Sequence, residues 1–172
     1  MVPREFEDIV RRHSAMVYRL AFSRLRNAAD AEDVCQTVFL RLHSAAPTFA
    51  DAEHERAWLL RTTVNCCTDL HRSAWRRHVT TDEQAKVAAQ RSMDKTALRQ
   101  QSDDDAQNYL AERIGTAMEA LSAKQRTAVH LFYFEELTCE EIAEATGERP
   151  ATVRSHLRRA RKTLQRLLGD AL

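Results

Sequence analysis

Apolar residues recur along the chain at steps of three and four, the period of a helix with one buried face. Phe6, Ile9, Val10, His13, Val17, Leu20, Ala21 and Leu25 carry this pattern over residues 3–26, and Asn27 is placed to end the helix. Asp30 is placed to cap a second helix, with Asp33 three residues on in the capping-box position. That helix holds Val34, Val38, Leu40 and Leu42 and stops before Pro47. Residues 46–53, with proline, threonine, aspartate and small residues, read as a loop. A third helix runs from about Glu55 to Arg76, with Trp58, Leu59, Thr62, Cys66 and Leu70 inward.

From His78 to about Asn108 the period is lost. Gln, Ser, Thr, Ala and Asp take over, and Asp103, Asp104 and Asp105 form a negative block. This stretch reads as a linker, partly helical at most. A second helical set begins near Tyr109 with Leu110, Ile114, Met118 and Leu121 on one face. Ser122 caps the next helix, which holds Ala128, Val129, Leu131 and Phe132. Thr138 and Glu141 form a capping box for a short helix that ends at Gly147, a residue suited to a left-handed terminus. Pro150 opens a last helix to about Leu168, with Val153, Leu157, Ala160 and Leu164 on one face. The expected fold is all-α: two small helical domains, residues 1–77 and 108–172, joined by a flexible linker over 78–107.

Composition agrees. The 172 residues include only three glycines and three prolines, too few for most turn-rich β folds or for glycine-rich phosphate loops. Mean hydropathy is −0.52, and no apolar run approaches the roughly 20 residues of a membrane span. The first eight residues are acidic and mixed, with no apolar secretory segment. A soluble, cytoplasmic chain without membrane insertion is expected. The four cysteines lack any C-x-x-C pair, and Cys66, Cys67 and His71 are the only local cluster with ligand-like spacing. Small, buried apolar side chains are the favoured reading of these cysteines. His13, His71, His78, His130 and His156 are scattered and read as structural or surface residues. No nucleophile–base pair stands out, so neither an enzyme nor a cofactor is expected.

Charge changes the picture through its position. The totals are 26 basic and 25 acidic residues, a formal net charge of +1. Yet residues 149–168 hold seven basic and no acidic residues, while 135–148 hold six acidic and no basic ones. A short capped helix, a glycine turn and a long basic helix make a helix-turn-helix candidate. A basic helix beside phosphate gains from counterion release and steering. Its first polar residues reach base edges, and later ones meet phosphate. In the third helix Arg61, Asn65, Arg72 and Arg76 follow one stripe, which Arg77 extends.

Three stretches go further: Leu121-Ser122-Ala123-Lys124-Gln125-Arg126, Leu137-Thr138-x-Glu140-Glu141-Ile142-Ala143, and Thr152-Val153-Arg154-Ser155-His156-Leu157-x-Arg159-Ala160-Arg161. They resemble region 4 of bacterial RNA polymerase sigma factors. Asp30-Ala31-Glu32-Asp33-Val34-x-Gln36-x-Val38-Phe39, and Arg56-Ala57-Trp58-Leu59 followed by Asn65, Asp69 and Arg72, resemble region 2. The likeness covers nearly the whole chain and fits the extracytoplasmic-function class, which has regions 2 and 4 only. Three positions depart from the usual pattern: Glu55 stands where an aromatic is common, Glu148 follows the turn glycine where an apolar residue is usual, and Arg149-Pro150-Ala151 opens the recognition helix.

The resemblance implies a promoter-specificity subunit that binds core RNA polymerase and promoter DNA. Asp33, Gln36 and Phe39 would face the clamp helices of the polymerase largest subunit. Arg61, Arg72, Arg76 and Arg77 would follow one strand of the melted −10 element. Asn65 would meet a flipped base, with the loop from Phe49 to Glu53 as pocket wall and Phe49 and Trp75 as stacking groups. Trp58 reads as core. Arg154, Ser155 and Arg158 would read the −35 element, with Thr152, Arg159, Arg161, Lys162 and Arg126 at phosphate. The resemblance also implies an anti-sigma factor as partner, and a linker that threads toward the polymerase active-site cleft, its aspartates mimicking nucleic-acid charge. The competing reading is a free-standing regulator with an amino-terminal sensing or dimerising domain.

Overall fold

The chain's computed structural model describes the backbone of residues 3–80 and 105–169 and the side chains of residues 5–73 and 112–169. The described residues form seven helices and no strand. The chain divides into two compact units, residues 1–97 and 98–172.

In the first unit α1 (Pro3–Leu25), α2 (Ala28–Ala45) and α3 (Ala52–Thr80) pack against one another. Val17, Leu20 and Ala21 of α1 meet Val34, Val38 and Leu42 of α2 and Leu59, Leu60 and Val64 of α3 in a closed core. The second helix starts earlier than expected. Asn27, not Asp30, is its N-cap, with its side-chain oxygen accepting from the Asp30 N–H at 3.0 Å. Asp30 thus falls in the first turn, where its negative charge suits the helix N-terminus. The helix ends at Ala46, which adopts φ 41° and ψ 51°. Pro47 disfavours right-handed helical geometry in the residue before it, so the chain turns there. Asp51 stands just ahead of α3 and accepts from the His54 N–H at 2.8 Å and Nδ1 at 2.9 Å. Those bonds, the backbone one first, hold its carboxyl below the ordinary carboxylate range.

Several inward assignments change: Thr62 and Leu70 are half-buried, and Ile114 of the second unit is 38% exposed. Leu40 is 66% exposed, because it lies off the stripe made by Ala31, Val34, Val38 and Leu42. Trp58 is half-buried rather than core. Cys66 and Cys67 are buried in the core, and burial pushes the Cys67 thiol up to about 12. Among the described residues no group of three or more His, Cys, Asp or Glu side chains is placed to hold a metal ion.

In the second unit α7 (Pro150–Leu168) packs against each of α4 (Asp105–Glu119), α5 (Ala123–Tyr133) and α6 (Cys139–Thr146). Val153, Leu157 and Ala160 are buried, as the sequence period predicts; Leu164 is only half-buried, and Leu168 completes the buried stripe instead. Ser122 caps α5 in a box completed by Gln125. Arg113 of α4 donates to the Leu168 carbonyl at 3.0 Å and ties the two helix ends together. Residues 81–104, with Asp103 and Asp104 of the negative block, lie outside the described residues, as do the side chains of Trp75, Arg76 and Arg77.

Candidate nucleic-acid interface

The short helix α6 and the long helix α7 are joined by a tight turn that the sequence specifies locally. Thr138 accepts from the Glu141 N–H at 3.2 Å, and Glu141 accepts in return from the Thr138 N–H at 2.8 Å. Gly147 has φ 69°, a left-handed geometry that costs other L-residues roughly 1–2 kcal/mol. Pro150 then supplies a first helical turn without a wasted donor. Ile142, Ala143 and Ala145 of α6 face α7 through buried contacts.

With one stripe of α7 buried, its remaining faces carry the charge. Arg158, Arg159 and Lys162 are exposed, and Ser155 and Thr152 are half-buried at their edge. Two arginines seven positions apart lie on a flank and are engaged by neighbouring helices. Arg154 donates through Nη1 to Glu140 of α6 at 3.3 Å. Arg161 donates through Nε to the Tyr133 hydroxyl at 2.7 Å and lies over the Phe132 and Tyr133 rings of α5. Arg126 of α5 donates to the Leu121 carbonyl.

The first unit holds a cavity of about 480 Å³ between the end of α2 and the middle of α3. Arg41, Ser44 and Ala45 line one side, and Trp58, Thr62 and Asn65 the other. Phe49, in the loop between the two helices, packs edge-on against Trp58 with ring centroids 6.1 Å apart. Asn65 is exposed at this cavity, one turn beyond exposed Arg61, and exposed Arg72 lies farther along α3. Arg41 also donates to Asp69 of α3 at 3.4 Å. Sequence reasoning missed Arg41 and Trp58 as lining residues. The signal available was the spacing of Trp58, Thr62 and Asn65 at four and three.

On α2, Asp33 and Gln36 are exposed and Phe39 is half-buried. Exposed Leu40, seven residues after Asp33 and four after Gln36, shares their face. It was missed because an apolar residue in a periodic helix reads first as core.

Comparison with known proteins decides the family. Residues 9–77 match the description Sigma-70 region 2, and residues 111–164 match Sigma-70, region 4. The RNA polymerase sigma factor SigV of Bacillus subtilis is 31% identical over 153 residues, covering 89% of this chain and 84% of the relative. The chain belongs to the extracytoplasmic-function sigma factors of bacterial RNA polymerase. The ECF RNA polymerase sigma factor SigM of Mycobacterium tuberculosis is 30% identical over 164 residues, covering 95% of this chain and 77% of that one. The sigma factor RpoE of Bartonella quintana, solved in complex with the anti-sigma factor NepR, shares the fold with a TM-score of 0.73. It is 22% identical, and the match covers 98% of this chain and 99% of that one.

A sigma factor directs promoter-specific transcription initiation and catalyses no reaction of its own. Two of this sigma factor's departures from the family pattern now have a physical reason. Glu55 is a buried anchor: it accepts from Arg12 at 3.1 Å and meets His13 Nε2 at 2.8 Å, fixing the start of α3 to α1. Glu148 is largely covered and joins Lys124 of α5 at 2.7 Å to His156 of α7 at 3.3 Å. An apolar residue after Gly147 would bury surface there; the glutamate instead ties the turn to α5 through Lys124. Among the described residues no helix is long and apolar enough to cross a membrane.

Proposed function

We propose that residues 1–77 bind core polymerase and read and melt the −10 element, that 78–107 link the halves, and that 108–172 read the −35 element. The observation that carries this is the helix-turn-helix, whose second helix buries one stripe and offers an exposed basic face to a major groove. Arg154, Ser155 and Arg158 contact base edges. Thr152, Arg159, Arg161, Lys162 and Arg126 contact phosphate.

In the first unit Asn65 offers a donor and an acceptor to an unstacked −10 base at the mouth of the cavity. Phe49 forms the wall, while Arg61, Arg72, Arg76 and Arg77 follow the strand. Asp33, Gln36 and Phe39 dock on the polymerase clamp. The protein acts in the cytoplasm, where the polymerase its relatives serve is found. An anti-sigma factor holds the free protein inactive, a reading supported by the NepR complex of the structurally similar RpoE.

The experiment is binding of the full chain to isolated core polymerase. A stable complex that Asp33→Ala and Gln36→Ala weaken is the expected outcome. A chain that ignores core polymerase but binds promoter DNA alone would be a free-standing regulator instead.

A further inference from the structure

The pair between Arg154 and Glu140 crosses the turn of the helix-turn-helix, with Nη1 to Oε1 at 3.3 Å. Both side chains are more than half exposed, and such a pair adds little to stability. Its consequence lies in where the guanidinium points. With Nη1 turned to the carboxylate, the edge formed by Nη2 and Nε keeps two parallel donors, the arrangement that the O6 and N7 of a guanine accept. Glu141, the neighbouring carboxylate, is turned back to the Thr138 N–H and hydroxyl at 2.8 and 2.7 Å, so it does not serve Arg154. Arg158 stands one turn on from Arg154, and like charges at that spacing repel, which favours the tilt of Arg154 toward α6.

We infer that Glu140 is a specificity-determining residue of this sigma factor: from the first helix of the motif it positions the Arg154 guanidinium for one guanine of the −35 element. The inference rests on Arg154 as a base reader. Glu140 also places a negative charge near the DNA backbone, so its two effects have opposite signs. It lowers affinity for every sequence and raises preference at one base pair.

The test is transcription by core polymerase and the full chain on promoters randomised through the −35 element, with Glu140→Ala, Glu140→Gln and Arg154→Ala as variants. Arg154→Ala marks the position it reads by erasing the guanine preference there. Glu140→Ala is expected to cut the preference at that same position about three- to tenfold, with total template binding unchanged or raised. Glu140→Gln, uncharged but able to accept a hydrogen bond, falls between. Glu140 is an exposed first-turn residue, so unchanged helicity checks that each variant folds. An unaltered base profile in both Glu140 variants, or equal change at all positions, overturns the inference. An unaltered profile in Arg154→Ala removes the base-reading role on which it rests, and is distinguishable because only that variant reports it.

Discussion

In the proposed assignment, Arg154 is the residue on which promoter choice turns most directly. An arginine paired with a guanine edge supplies about 1–3 kcal/mol of discrimination. Arg154→Ala should therefore weaken open-complex formation on a selected promoter about 5- to 150-fold, with a much smaller effect on one scrambled at −35. Equal losses on both templates would leave it a phosphate contact. Glu55 matters in another way, as a buried carboxylate paired with α1. Removing its carboxylate leaves Arg12 and His13 facing a covered site without their acceptor. Glu55→Ala is expected to cost about 1–3 kcal/mol in urea unfolding, and no measurable cost would mean that the pair is ornamental. At this scale the sequence was partly legible. Arg154 and Asn65 stood out by residue type and register, whereas the role of Glu55 depended on partners 42 and 43 residues away. Glu140 was hidden for the same reason, since its partner lies across a turn.

Helix ends were the most readable features, because capping is a contact within four residues. Ser122, Thr138, Gly147 and Pro150 all stand where their chemistry places them. The misplaced start of α2 shows the limit: Asn27, expected to end α1, instead caps α2 by accepting from the N–H of Asp30, the residue expected to be the cap. Thr138→Ala should cost about 1 kcal/mol of stability in the second unit, measurable by thermal unfolding. An unchanged transition would mean that α6 is held by packing alone. In α3 the pH dependence follows from Cys67. Burial raises its thiol from the ordinary 9.0 to about 12. The group is neutral when folded and ionises first in the unfolded chain, so its contribution is complete below about pH 9. It is lost progressively as pH rises toward 12. Alkaline titration of stability should show this decline in the native chain and less of it in Cys67→Ala.

Across the whole molecule, a net charge of +1 conceals an acidic α6 and a basic α7. Composition alone reads as indifferent to nucleic acid; position along the chain reverses that reading. Periodicity set the two helical sets apart, but placed both Leu40 on α2 and Trp58 on α3 inward, because both are apolar and only packing separates them from the core. Lys162→Ala should weaken binding uniformly across sequences and lower the salt slope by about 1, as loss of one phosphate contact requires. A change confined to particular promoters would reassign it to base reading.

The most direct measurement of the central claim is run-off transcription by purified core polymerase on a library randomised through both promoter elements, with and without this chain. Transcripts should depend on the chain, and selected promoters should carry two separate sequence blocks, the upstream one altered by Arg154→Ala and the downstream one by Asn65→Ala. Transcription independent of the chain, or blocks indifferent to both substitutions, would contradict that claim.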